Sequence, residues 1–159
     1  MKKCLFAMIS AVIGGLLSGC KVMPAGDLIE LSYTRSGTMA GYQWEGRVER
    51  DSDGTFVLRA MKENYGPLYE KHIGTEEMQK FRNIIEEEKM YAYKESYQPI
   101  FKVLDGWGWG FEAKFSDGNK IYSGGNNASP NGNGLDRIRG YMEELIQDGV
   151  LIETEEREY

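Results

Sequence analysis

The feature that most constrains this chain is a strict two-residue alternation from Trp107 to Phe115. Trp107, Trp109, Phe111, Ala113 and Phe115 take the odd positions, and Gly108, Gly110, Glu112 and Lys114 the even ones. On a strand, successive side chains point to opposite faces, so this period gathers every aromatic on one side. Strand glycines at 106, 108 and 110 each cost roughly 0.5–1 kcal/mol against alanine. Burying a large apolar side chain contributes about 1.5–3 kcal/mol. The stretch is therefore stable as a strand only if its aromatic face is covered. Asp117-Gly118 is a hairpin turn signal, and Lys120 to Ser123 carries the returning strand. The glycines are not a phosphate loop: no G-x-G-x-x-G precedes a helix here, and no Lys-Ser/Thr pair follows.

The first half shows the same grammar. Leu28 to Tyr33 alternates and reads as a first strand, followed by a loop over residues 36–41. Tyr42, Trp44, Gly46 and Val48 alternate with polar residues, Asp53-Gly54 turns the chain, and Phe56, Leu58 and Ala60 return. A weaker fourth strand covers residues 68–73. Thr75 is expected to cap a helix with Glu76 and Glu77 in its first turn and a stripe of Met78, Phe81, Ile84 and Ile85. The triplet Glu86-Glu87-Glu88 reads as a solvated face. A second helix carries Leu135, Ile138, Tyr141, Met142, Leu145 and Ile146, with Gly149 placed to end it. Trp44 precedes Asp53 by nine residues and Trp109 precedes Asp117 by eight, so the halves overlay loosely as hairpin-then-helix. The expected fold class is α+β. Hairpins build an antiparallel sheet with two helices on one face, a ββαββα-like two-layer sandwich.

Residues 1–20, MKKCLFAMISAVIGGLLSGC, begin with Lys2 and Lys3, continue as an apolar run from Leu5 to Leu17, and end in Leu17-Ser18-Gly19-Cys20. A run this short behind a basic start reads as a signal peptide rather than a membrane span. Its end resembles the lipobox of bacterial lipoproteins. That resemblance implies cleavage between Gly19 and Cys20, acylation of Cys20, and anchoring in the bilayer by several acyl chains. Lys21 stands where aspartate would retain such a protein in the inner membrane, which favours the outer membrane facing the periplasm. The organisation expected is signal peptide 1–19, lipidated Cys20 and tether to residue 27, one domain over 28–152, and a charged tail 153–159.

Composition narrows the chemistry. The chain has 25 acidic and 19 basic residues, and losing Lys2 and Lys3 makes the remainder more acidic still. This balance argues against nucleic acid as a partner and against an electrostatic hold on anionic lipid. Cys4 and Cys20 are the only cysteines, so the domain is expected to hold neither disulfide nor thiol nucleophile. Asp51-Ser52-Asp53-Gly54 fails as a calcium loop, because Phe56 and Lys62 stand where glycine and a carboxylate are needed. His72 is the single histidine, too few for a zinc site, and no G-x-S-x-G accompanies it. No catalytic residue, metal or cofactor is assigned. The candidates for ligand contact are Trp107, at the strand's end, and Asn126, Asn127 and Asn131 in the Gly/Asn-rich loop 124–134. Tyr91, Tyr93 and Tyr97 read as packing at the core's edge.

Asp105, Gly106, Trp109, Phe111, Phe115, Asp117 and Gly118, followed by Gly125, Asn127, Ala128 and Pro130, form the pattern DGxxWxFxAxFSDG…GxNAxP. It is similar to a recurring domain of small bacterial lipoproteins that has no assigned activity. The resemblance covers roughly residues 101–147 and departs from the pattern in Gly108, Gly110 and Trp107. It implies fold and location and carries no catalytic residue. The functional expectation is a binding or structural role in the cell envelope, on an envelope protein or glycan. The alternatives are an inhibitor of an envelope hydrolase, projecting loop 124–134, or an enzyme acting on glycan or cell wall.

Overall fold

The computed structural model describes residues 21–37, 42–64, 66–101, 103 and 106–152. Along the chain run β1 (Leu28–Gly37), β2 (Tyr42–Arg50), β3 (Phe56–Met61), β4 (Leu68–Ile73), α1 (Thr75–Glu87), β5 (Ser96–Tyr97), β6 (Trp107–Phe115), β7 (Lys120–Asn126), α2 (Gly134–Leu145) and β8 (Val150–Leu151). The strands form one sheet in the order β5-β7-β6-β1-β2-β3-β4-β8. Every neighbouring pair is antiparallel except β5 with β7. The chain is thus α+β, as its periodicities require.

The two hairpins flank β1 with matched registers. Leu31 lies opposite Val48 and Ala113, Tyr33 opposite Gly46 and Phe111, and Arg35 opposite Trp44 and Trp109. Each indole N–H donates to a carbonyl at or just past the far end of the next strand: Trp44 to Met61 O at 2.9 Å, Trp109 to Ala128 O at 2.7 Å. Both turns use a glycine of positive φ, 89° at Gly54 and 83° at Gly118, where an L side chain is strained. The aspartate before each glycine accepts the amide two residues on, Thr55 N at 2.9 Å and Asn119 N at 3.0 Å. The Thr55 side chain first and then its amide hold Asp53, and the Asn119 side chain first and then its amide hold Asp117, below the usual carboxylate range.

Both helices cover the same face. Phe81 of α1 and Tyr141 of α2 meet with ring centroids 4.7 Å apart. Beneath them Tyr33, Trp44, Leu58, Phe111 and Phe115 are buried in one cluster with Ile85, Ile138 and Met142. Trp109, Phe111, Ala113 and Phe115 are buried, Trp107 is half-buried, and the intervening residues of β6 lie on the opposite face.

Several boundaries differ from the sequence reading. β1 extends through Ser36 and Gly37, because β2 and β6 pair with it on both sides to that point. Gly74, rather than Thr75, is the N-cap of α1; it has no side chain to accept a first-turn amide, and the Glu77 carboxylate accepts the Gly74 amide at 2.8 Å. The acidic triplet is paired rather than merely solvated. Arg137 of α2 reaches Glu87 and Glu88, each at 2.8 Å, and Arg82 lies 3.5 Å from Glu86. α2 ends at Leu145, and a 3-10 turn over Ile146–Asp148 precedes Gly149. Residues 21–27 lie along the domain. The Lys21 ammonium donates to Tyr93 O at 2.6 Å, and Arg82 donates to Pro24 O at 3.0 Å and Gly26 O at 3.3 Å. Gly19 and Cys20 lie outside the described residues, as does the 153–159 tail. No helix among the described residues is long and apolar enough to cross a membrane.

Candidate functional site

Among the described residues the face of the sheet opposite the helices carries no covering layer, and its strands build a groove of about 460 Å³. Alternation dictates its chemistry. With Leu31 and Tyr33 turned into the core, Ser32 and Thr34 form the floor on β1. Arg47 and Glu45 lie opposite them on β2, and Glu112 and Gly110 on β6. The walls are charged: Lys114 pairs with Glu30 across β6 and β1, and Arg59 on β3 bridges Glu49, at 2.5 Å, and Glu70, at 2.7 Å. The hydrogen bond from Lys114 to Glu30 raises the lysine above its usual range.

Arg47 and Arg59 are register partners on adjacent strands. Like charges directly opposed destabilise a sheet. Glu49 relieves this by taking Arg59 at 2.5 Å while standing 3.8 Å from Arg47. Arg59 is thereby fixed on two carboxylates. Arg47 keeps a loose contact and 62% of its side chain in solvent. Exposed ion pairs of this kind contribute only about 0–1 kcal/mol each. Their larger consequence is a patterned polar surface with one arginine free to reorient toward a ligand.

Beyond the groove, toward β7, the same face is smooth. Thr34, Gly110 and Gly124 line up in one row, and Ser36, Gly108 and Asn126 in the next. The exposed Tyr122 stands beside this strip, its hydroxyl 3.8 Å from where a Cβ on Gly124 would lie.

The ligand-contact candidates are divided by this geometry. Trp107 faces the helix side, with the Arg35 guanidinium 5.0 Å from its ring centroid. Asn127 adopts φ 51° and closes a ring of hydrogen bonds on the same residue. Its side-chain oxygen accepts Trp107 N at 2.9 Å, and its own amide donates to Trp107 O at 2.8 Å. Gly106 sits beneath this side chain, where a Cβ would lie 1.9 Å from Asn127 Oδ1. Asn126 is exposed on the opposite face beside Gly108, and Asn131 is exposed in the loop before α2. The structure thus joins Trp107 with Asn127 and leaves Asn126 and Asn131 apart. Thr34, Arg47, Arg59 and Lys114 were not singled out in the sequence. Their signal is the polar half of the alternation, which becomes a site only once strand order brings four strands together.

The remaining motifs are accounted for locally. Tyr93 is buried and Tyr97 packs on Trp109 at 5.7 Å between centroids. His72 is exposed, its Nδ1 3.4 Å from the Thr55 hydroxyl. Among the described residues no group of three or more His, Cys, Asp or Glu is placed to hold a metal ion. The chain matches no protein-family model and no curated protein.

Proposed function

We propose that the chain is a bacterial envelope lipoprotein, cleaved after Gly19, acylated at Cys20 and held at the outer membrane, and that it binds an envelope protein or glycan through the uncovered face of its sheet. The observation that carries the binding role is the groove over Ser32 and Thr34, with Arg47 exposed at its wall. A polar concavity with a few oriented charged groups is suited to recognition of a polar ligand. The anchor rests on the basic start, the short apolar run and Leu17-Ser18-Gly19-Cys20. The ββαββα plan belongs to the same reading: two hairpin-and-helix units flank β1, and β4, β5 and β8 are additions. The matched positions of Trp44 and Trp109 opposite Arg35 support it.

Two measurements test this. Cys20→Ala is expected to abolish labelled palmitate uptake and membrane retention; a variant that keeps both removes the anchor from the reading. For binding, detergent-extracted protein is cross-linked to its envelope neighbours. Thr34→Trp, which fills the groove, is expected to lose the adduct, while Asn131→Ala keeps it. The opposite pattern would place recognition in loop 124–134.

A further inference from the structure

We propose that the β5 edge of the sheet, with Ile100, Phe101 and Val103 at its corner, lies against the lipid bilayer, so that the anchored domain stands on the membrane in one orientation. The inference rests on the reading of Cys20 as the acylated residue.

Seven large apolar side chains are exposed among the described residues. Val150 and Leu151 belong to β8, at the far edge. The other five lie along the near one, Val22 (76% exposed) and Tyr122 (56%) beside the start of β7 and Ile100 (95%), Phe101 (81%) and Val103 (48%) past its end. The fold explains this placement. Beside β7, residues 22–25 line a crevice with Tyr91, Ile121 and Tyr122. β5 pairs parallel to β7 further along, through Ser96 with Gly124 and Tyr97 with Gly125. The chain leaves Tyr97 past the end of that pairing, and Ile100, Phe101 and Val103 follow in the connection to β6. Adjacent exposed apolar residues of this kind mark an interaction surface rather than ordinary solvent-facing positions.

The occupant follows from where the preceding chain departs. Lys21 is fastened to Tyr93 O at 2.6 Å, and Arg82 holds Pro24 and Gly26. The described chain therefore begins fastened beside this edge, one residue after the proposed acylation site. Tyr93 and Ile100 are separated by a span of at most roughly 25 Å of extended chain. A bilayer lying along the length of this edge, rather than at one point of it, would touch both. In the crevice Lys21 and Lys120 are balanced by Glu95 and Asp117, so the crevice offers no net positive charge to anionic lipid. A bilayer at the β5 edge leaves the groove facing sideways, open to a partner in the periplasm.

The test uses intact acylated protein in phosphatidylethanolamine–phosphatidylglycerol vesicles. With Cys20 acylated, an introduced cysteine is the single free thiol of the mature chain. Phe101→Cys and Ser52→Cys are labelled with an environment-sensitive fluorophore and quenched by spin-labelled lipid. Ser52 lies in the β2–β3 turn, and β3 is five strand spacings, roughly 24 Å, from β5. Quenching is expected to be several-fold stronger at 101 than at 52 and unchanged by salt. Equal quenching in protein that floats with the vesicles overturns the proposal and leaves the tip to a protein partner. Failure to float overturns the acylation reading and takes this proposal with it.

Discussion

Asn127 shows how much of a site residue's meaning depends on atoms distant in sequence. Its left-handed backbone, φ 51°, is one that asparagine tolerates better than most residues. Its side chain satisfies the Trp107 amide, twenty positions away. Asn127→Ala removes that acceptor and places alanine at a positive φ. A loss of about 1–3 kcal/mol in urea unfolding is expected, whereas the exposed Asn131→Ala is expected to change stability by less than about 0.5 kcal/mol. As ligand candidates both asparagines were marked by composition. The GxNAxP pattern sets Asn127 apart from Asn131, but nothing in GGNNASPNGNG says that Asn127 locks a strand while Asn131 faces water. The distinction lies in the return of β7 alongside β6.

Tyr93 and Tyr141 carry a second residue-scale consequence. Burial, reinforced by Glu88 at the first and by Glu77 at the second, pushes both phenols up to about 12. The unfolded chain ionises near the ordinary value of 10, so the stabilisation is complete below pH 10 and is lost as pH rises toward 12. Thermal melting points measured from pH 9 to 12 should fall for the wild type. The fall should be shallower in Tyr93→Phe/Tyr141→Phe. Equal slopes would show that other groups govern the alkaline limb.

At the scale of elements, the alternating strands were legible because each needs only its own period and a turn. The Leu68–Ile73, Trp107–Phe115 and Thr75-initiated elements lie where their patterns predict. β5 and β8 were not legible. Each has two residues and exists because β7 or β4 offers an unpaired edge, a property of the assembled sheet. The seating of α2 was hidden for the same reason. Gly46, in mid-strand, reads as a weak point until α2 is in place. A Cβ there would lie 2.5 Å from Met142 Sδ and 2.6 Å from the Trp44 ring. Met142 can shift its end, but the indole is held by Met61 O. Gly46→Ala is therefore expected to cost about 1–3 kcal/mol by overpacking. Gly140, also in α2, is exposed with nothing within 4 Å of a Cβ. Gly140→Ala is expected to stabilise by about 0.5–1 kcal/mol through helix propensity. Opposite signs for two Gly→Ala changes, read by denaturant midpoint, check the packing of α2 against β2.

For the whole molecule, the decisive asymmetry is a sheet with both helices on one face, its other face left uncovered by the described residues, and one edge bound to residues 21–27. Residues 21–27 were expected to tether the domain loosely, on composition; no local pattern announces that Arg82 and Asp117 hold them. Asp117 Oδ2 accepts Gly26 N and Ser116 Oγ accepts Asp27 N, both at 2.9 Å. The Asp117 carboxylate is held below its ordinary value of 3.8 by Asn119 first and by the Gly26 amide among the rest. Its contribution is thus present above that value and is lost as pH falls through the lower folded one. Arg82→Ala/Asp117→Ala should release the segment without unfolding the domain, because both side chains act at the surface of a core they do not fill. Hydrogen exchange at residues 22–27 is expected to rise sharply in the double variant and to stay unchanged in the buried strands. Protection retained at 22–27 would show that the Lys21 and Ser116 contacts hold the segment without Arg82 and Asp117. On the proposal that Cys20 carries an acyl anchor, release of the segment would turn that anchor into a swivel and remove the orientation proposed for the groove.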